Sequence, residues 1–375
     1  MKQVLRVGLV SFGYMGKMHA MGYDNLKYYY QTQAEVVLYA VVTSKKPEEI
    51  PIPFEKYYAT IDELLADPLV DIVDLCGPTY LHKEQLLKAI AADKHIYCEK
   101  PLTNDLATAQ EVMDKVRETG YDKINRVTFE YRFVPAILRA KQIIDEGGIG
   151  KIIHFNFKYY GCEFLDPNKP IGWQATKDLA GGGVLYALGT HSIDTIRYLV
   201  GEIKDVFAQQ RTHFKQRPRK EDPTQTKKVD IEDIVNVQLT CGEDVMGTLL
   251  LSQVAAGSGI DFTFEIYGEK GALKFDHNNA NVIYYYDNTE PKDPVGGYGG
   301  FKAIETTQKY GGEAVFPPAR VTIGWSRYHI ASIYDFVHAV LTGTGSHPDL
   351  EDAYQVHRVT DAIYRSTQSG RIETV

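Results

Sequence analysis

Apolar and polar positions follow two textures along this chain. Over the first third, short β-branched and aliphatic runs are separated by longer amphipathic stretches, the pattern of βαβ units around a parallel sheet. Strands are predicted at residues 4–10, 35–42, 71–75, 95–98 and 124–129, with helices at 15–30, 60–66, 82–92 and 104–118. Leu86, Leu87 and Ile90 recur at helical spacing and make one buried face. Five strands with intervening helices fit a doubly wound nucleotide-binding domain over residues 1–125.

From residue 126 the texture changes. A helix is predicted at 135–146, followed by alternating strands at 151–160, 234–240, 245–253, 263–267 and 282–286, with a hairpin signal at Gly268-Glu269-Lys270-Gly271. This reads as an α+β domain over 126–375, built on a mainly antiparallel sheet with helices on one face. Residues 216–228 and 288–300, rich in charge, proline or glycine, read as loops. Two helical patterns, 328–341 and 351–366, close the chain and are free to pack back toward the first domain.

Bulk properties narrow the partners. At 375 residues the chain exceeds what a single core supports, so two domains are expected. A net charge of −8 gives no general attraction to nucleic acid or to an anionic membrane surface. Cys76, Cys98, Cys162 and Cys241 lie far apart with no C-x-x-C spacing, which points to reduced thiols rather than a metal site or a disulfide framework. With no secretion signal and no apolar run approaching the ~20 residues of a membrane span, a soluble cytoplasmic protein is expected.

Directly after the first strand comes Ser11-Phe12-Gly13-Tyr14-Met15-Gly16, a G-x-G-x-x-G fingerprint with serine in the first place. Gly13 leaves room for a pyrophosphate, Gly16 lets the helix lie close to the strand, and the helix amides stabilise the anion. After the second strand an acidic residue would normally take the ribose 2′-hydroxyl of NAD. Here the chain reads Val42-Thr43-Ser44-Lys45-Lys46. With no carboxylate to repel a 2′-phosphate, Ser44 and Lys45 tilt the expectation mildly toward NADP over NAD, against the plain alternative of a solvated lysine-rich loop.

The third strand runs into Cys76-Gly77-Pro78-Thr79-Tyr80-Leu81-His82, and the fourth into Cys98-Glu99-Lys100-Pro101-Leu102. With the glycine fingerprint, and continuing through Tyr131-Arg132-Phe133, Gly181-Gly182-Gly183, Gly189-Thr190-His191-Ser192-Ile193-Asp194 and Tyr267-Gly268-Glu269-Lys270-Gly271, this ordered set resembles the Gfo/Idh/MocA family of glucose-fructose oxidoreductase and inositol dehydrogenase relatives. The resemblance covers nearly the whole chain. It implies a Rossmann domain followed by an open-sheet domain that frequently forms dimers or tetramers, and an oxidoreductase moving a hydride between NAD(P) and a sugar or polyol. It places Lys100 on the reacting oxygen and His191 on its proton. Both assignments make chemical sense: an ammonium stabilises developing alkoxide charge, and an imidazole titrates near working pH. The resemblance also places Cys76, Gly77, Pro78, His82, Glu99 and Pro101 beside the cofactor, and Tyr131 and Trp173 beside the substrate. His19 and Asp194 read as structural residues, and Lys177 and Asp178 as solvated loop.

One position departs from the family. Where it often carries an aspartate four residues before the histidine, this chain has Ala187. That leaves two further readings open, a catalytically silent relative that still binds nucleotide or sugar, and a redox-neutral enzyme using bound NAD.

Overall fold

The computed structural model describes residues 3–307 and 313–375. They divide into two compact units, Met1–Phe133 with Lys309–Gln355, and Val134–Gln308 with Val356–Val375.

The first unit opens with β1 (Gln3–Val10), α1 (Tyr14–Tyr29), β2 (Ala34–Val42), β3 (Lys56–Tyr58), α2 (Ile61–Leu65), β4 (Ile72–Leu75), α3 (Thr79–Ala91), β5 (His95–Cys98), α4 (Leu106–Thr119) and β6 (Asn125–Val127). Its sheet is parallel throughout, in the order β3-β2-β1-β4-β5-β6. Helices on both faces explain why β4 and the end of β1 are buried at every position, and why both are apolar apart from Asp74. Local signals set the helix ends. Thr60 and Glu63 form a capping box on α2, Asp105 accepts the Thr108 amide at 2.7 Å to open α4, and Gly120 ends it at a φ of 63°.

Strands at 4–10, 35–42, 71–75 and 95–98 stand where the sequence puts them, within a residue at each end. The three-residue edge strand β3 carries no period-2 signal and was not expected. The fifth strand ends at Val127 rather than at 129, because Glu130–Phe133 turns into a 3-10 helix.

The second unit contains α5 (Pro135–Asp145), β7 (Ile152–Tyr160), α6 (Lys177–Ala180), α7 (Thr190–Leu199), β8 (Ile203–Arg211), β9 (Gln216–Pro218), β10 (Thr226–Lys228), β11 (Ile234–Cys241), β12 (Val245–Ser252), β13 (Asp261–Gly268), β14 (Gly271–Asp276), β15 (Val282–Asp287) and β16 (Lys302–Glu305). With β17 (Glu373–Thr374), eight of these strands form a nine-stranded sheet in the order β16-β15-β14-β13-β7-β12-β11-β8-β17. Only the β7–β12 pair is parallel. Phe155, Phe157, Val237, Leu249, Phe262, Phe264 and Phe275 fill the buried face. The opposite face carries charge pairs such as Lys158–Asp261 at 3.0 Å and Lys274–Glu265 at 2.9 Å. The stretch 216–228, expected as loop, contains the β9–β10 hairpin, closed by the Thr226–Gln216 side-chain bond at 2.7 Å.

After β16 the chain returns to the first unit, leaving only β17 of the second sheet still to come. The helix α8 (Trp325–Thr342) lays Ile330, Ile333, Phe336 and Val337 into one core with Leu5, Val7, Tyr23, Leu26, Ile72 and Tyr97. Arg126, fully buried, ties the same segment down by donating to Ser346 Oγ at 2.9 Å and to the Ser332 carbonyl at 3.0 Å. The last helix, α9 (Leu350–Ser369), begins in the first unit and ends in the second.

Candidate active site

Three loops meet at the carboxyl edge of the first unit's sheet. The registers Val10↔Leu75 and Leu75↔Cys98 put Ser11, Cys76 and Glu99 level with one another at the ends of adjacent parallel strands. Backbone bonds hold them there, Cys76 N–H to the Val10 carbonyl at 3.1 Å and Glu99 N–H to the Leu75 carbonyl at 2.9 Å. In such sheets ligands bind beyond the carboxyl ends of the strands, where the order reverses, which here is between β1 and β4.

Ser11 stands at a φ of 82°, the conformation for which the fingerprint ordinarily uses glycine. Its side chain tolerates that region at a cost of roughly 1–2 kcal/mol. A Cβ on Gly16 would lie 2.3 Å from the Ser11 carbonyl oxygen, so only glycine lets α1 pass so close to the strand, whereas a Cβ on Gly13 would meet only Ser11 Oγ at 3.8 Å. The first turn of α1 has no side-chain cap and no acidic residue. Its amides are therefore available to an anion, and the residues present fit the pyrophosphate of a dinucleotide. Phe12 is buried, Met15 half-buried and Tyr14 exposed, its ring stacked on Trp325 at 5.9 Å. After β2, Ser44 and Lys45 are exposed, and the Lys45 ammonium donates to the Phe12 carbonyl at 3.1 Å.

Lys100 is half-buried at the end of β5, where the Lys100–Pro101 peptide is cis. His82, buried on α3, joins the two neighbouring loops: its ring nitrogens lie 2.9 Å from the Pro101 and Gly77 carbonyl oxygens. Burial pulls its basicity down against the pull of those carbonyls. Thus Cys76, Gly77, Pro78, His82, Glu99, Lys100 and Pro101 gather at one edge. Tyr131 follows β6 in the 3-10 turn and is buried.

Beneath this edge lies a buried polar cluster that the sequence reading did not assemble. His19 Nδ1 sits 2.9 Å from Asp74 Oδ1 and its Nε2 sits 2.9 Å from Glu99 Oε1. Glu130 and His329 stand nearby, 4.0 Å apart, with the Trp325 ring 4.6 Å from that of His329. Burial lowers His329 to about 3, so it is neutral. The signal that could have found the cluster is Asp74, a carboxylate inside the apolar Ile72-Val73-Asp74-Leu75 strand, since a buried charge demands a partner.

Burial, followed by the repulsion of Glu99, raises Glu130 to about 8 against the pull of Lys100. Glu130 therefore keeps its proton in the folded chain well above the ordinary carboxyl range. Its contribution to stability is complete at acid pH and is lost as pH rises toward 8, because the unfolded chain has already released that proton. The loss is at most about 1.4 kcal/mol per pH unit. Glu130→Gln, which keeps the shape and cannot ionise, is expected to flatten the decline in melting temperature between about pH 5 and pH 8. Parallel curves for variant and parent would assign the titration to another group.

The second unit carries its own ordered turn. A Cβ on Gly183 would lie 2.0 Å from the Glu232 carbonyl oxygen, which accounts for glycine there by close approach. Glu232 Oε1 accepts the Gly183 and Leu185 amides at 3.0 and 2.9 Å, and Oε2 accepts the Tyr364 hydroxyl at 3.1 Å. From this anchor the chain makes a π turn at Leu185–Gly189 before α7. Such turns recur at functional sites. His191 is then buried on α7, Ala187 is exposed within the π turn, and Asp194 is fully buried. Trp173 is partly exposed in a 3-10 turn, and Lys177 and Asp178 are exposed beside it.

Among the described residues three groupings place possible metal-ligating atoms within 4.8 Å of one another: His19, Asp74 and Cys76; His19, Glu99 and His329; and His347, Asp349 and Asp352. In the first two, both His19 nitrogens are engaged by carboxylates at hydrogen-bond distance. The third is an exposed turn already paired internally, His347 Nδ1 to Asp352 Oδ2 at 2.9 Å.

Comparison with known proteins agrees with this architecture. Residues 5–124 match the oxidoreductase family with an NAD-binding Rossmann fold, and residues 137–274 match the GFO/IDH/MocA C-terminal domain. Levoglucosan dehydrogenase from Pseudarthrobacter phenanthrenivorans is 30% identical over 97% of this chain and 96% of its own. A solved levoglucosan dehydrogenase in complex with NADH and levoglucosan superposes with a TM-score of 0.92 at 30% identity, each chain covered completely. The myo-inositol 2-dehydrogenase of Thermotoga maritima is 27% identical over 76% of this chain and 78% of its own. A doubly wound NAD-binding sheet, a second unit on a largely antiparallel sheet, both family matches, and likeness along nearly the full length to a levoglucosan dehydrogenase together establish that this chain is an NAD(P)-dependent oxidoreductase belonging to the GFO/IDH/MocA family.

Proposed function

We propose that the protein oxidises a hydroxyl, or reduces the corresponding carbonyl, of a sugar or polyol, with Lys100 and His191 as its catalytic residues. The observation that carries this reading is the placement of Lys100 at the carboxyl end of β5, one strand removed from the glycine turn after β1. The nicotinamide, when bound, accepts or supplies the hydride. Lys100 directs its ammonium at the substrate oxygen and stabilises the negative charge that builds there as the C–H bond breaks. His191 takes the hydroxyl proton during oxidation and returns it during reduction. Tyr131 and Trp173 shape the substrate site. The amides of the Ser11 to Gly16 turn, with Cys76, Gly77, Pro78, His82, Glu99 and Pro101, hold the cofactor. Residues 1–125 form the cofactor domain and 126–375 the substrate and assembly domain, with α8 packing back into the first, of a cytoplasmic homodimer or homotetramer. Without an aspartate at 187, the proton work rests on His191.

For the cofactor, Ser44 and Lys45 tilt toward NADP, but the Lys45 ammonium is already donated to the Phe12 carbonyl. The solved levoglucosan dehydrogenase complexes also carry NADH. The reading adopted is NAD(H). Fluorescence titration with NADH and NADPH in parallel is expected to give tighter NADH binding, and tighter NADPH binding would restore the role of Ser44 and Lys45.

The reaction is tested by following cofactor reduction with a panel of sugars and polyols that begins with levoglucosan and myo-inositol. Steady-state reduction with any of them supports the dehydrogenase. Binding of cofactor and sugar without net reduction, but with product formed, would instead favour the redox-neutral cycle.

A further inference from the structure

The His19 cluster asks for a role, because nothing in the hydride transfer uses it directly. His19 comes three residues after Gly16, on the same face of α1. The close approach that Gly16 permits, with its ideal Cβ only 3.7 Å from that of Cys76, brings the next turn of the helix against the end of β4. There the imidazole is fully buried and meets two carboxylates from different strands. Asp74 takes Nδ1 at 2.9 and 3.1 Å through its two oxygens, and Glu99 takes Nε2 at 2.9 Å. Glu99 then uses its other oxygen to accept the Lys100 amide at 3.2 Å. The Cys76 thiol also donates to Asp74 Oδ1, at 3.0 Å, which completes the support of that carboxylate.

Only a doubly protonated ring can donate to both carboxylates at once. The surroundings favour that state. Burial works against it, but the Asp74 carboxylate outweighs burial and raises His19 well above the usual imidazole range. Burial likewise opposes the Glu99 charge, and His19 overcomes it and holds Glu99 below the usual range. The other groups facing the ring are neutral near pH 7: the Cys76 thiol raised by burial, His329, and Tyr97 raised to about 12. What remains is a buried alternation of carboxylate, imidazolium and carboxylate, running from Asp74 through His19 to Glu99, whose second oxygen holds the backbone amide of the half-buried Lys100.

We propose that His19 is a positioning residue of the reaction, whose ring, braced by Asp74, grips Glu99 and so fixes the backbone from which Lys100 reaches the substrate oxygen. The inference rests on the reading that Lys100 acts on that oxygen. A catalytic group displaced by about 1 Å loses on the order of 10²-fold in rate, so a grip on its backbone is worth that much without touching the substrate.

Two isosteric variants separate this role from packing, because an asparagine amide overlays Nδ1 and a glutamine amide overlays Nε2 of histidine. His19→Asn keeps the Asp74 bond and drops the Glu99 bond, and His19→Gln does the reverse. The expected result is a kcat lowered roughly 10- to 100-fold in His19→Asn with little change in KM or NADH affinity, and a substantially smaller loss in His19→Gln. Equal kcat in His19→Asn and the parent, or equal losses in both variants, would overturn the proposal. Lys100→Ala is measured alongside. If that variant keeps its turnover, the reading of Lys100 fails and the proposal with it; if it loses turnover while His19→Asn does not, only the proposal fails. Proton NMR of the parent needs neither substrate nor variant: two exchange-protected imidazole N–H resonances assigned to His19 near pH 7 are expected, and a single one would overturn the doubly donating ring.

Discussion

Replacing Lys100 by alanine is expected to lower turnover about 10²- to 10³-fold, the typical effect of removing one donor aimed at a developing oxyanion, equivalent to about 2.7–4 kcal/mol of transition-state stabilisation. The argument turns on where the charge sits. In the ground state the substrate oxygen is a neutral hydroxyl or carbonyl and gains little from an ammonium. As the hydride moves it becomes alkoxide-like, and the half-buried setting of Lys100 strengthens the attraction relative to open water. The loss should therefore fall on kcat and on kcat/KM together. NADH affinity, measured by fluorescence, should stay close to that of the parent, because on the proposed reading the amides of the α1 turn, rather than this ammonium, hold the pyrophosphate. A variant with unaltered turnover would remove Lys100 from the mechanism.

Gly16→Val is expected to be the most damaging change to cofactor binding. Even a single Cβ at this position would lie 2.3 Å from the Ser11 carbonyl oxygen and 3.2 Å from its carbon, backbone atoms that cannot rotate away. The helix must then move off the strand, at a cost of about 1–3 kcal/mol for overpacking, and its first amides leave the anion. Each lost hydrogen bond to a charged group is worth about 1.5–3 kcal/mol, so NADH should bind roughly 10- to 100-fold more weakly per bond lost. Gly13→Ala supplies the contrast. Its Cβ would meet only Ser11 Oγ at 3.8 Å, so stability should hold while the methyl intrudes where the pyrophosphate approaches. Calorimetry with NADH titration separates the two glycines: a loss of melting temperature and affinity at 16, but of affinity alone at 13. Equal melting losses at both would contradict the assigned roles.

Much of this architecture is local information. The strands β1, β2, β4 and β5 and the helices between them follow from the apolar period of their own residues and from caps such as Asp105 and Gly120. The glycine fingerprint and the Glu99-Lys100-Pro101 loop were legible because each sits just past a recognisable strand. Edge strand β3 was not, since three residues cannot display a period. Nor was β8, whose last three residues are polar and exposed and blur its alternation.

What the sequence by itself determined is therefore the order and kind of most elements and the glycine turn after the first strand, while Lys100 and His191 were candidates through the family resemblance. What only the tertiary structure decided is how distant residues complete them. His19 meets Asp74 across 55 positions and Glu99 across 80, Glu232 reaches back 49 to anchor the triple-glycine turn, and α8 returns to the core of the first unit after all of the second sheet but β17 has been built. The physical reason is that periodicity and capping act over a few neighbouring residues. A buried carboxylate, by contrast, declares in sequence only that it requires a partner, and which partner it receives is settled by the strand order and the close approach of packed elements.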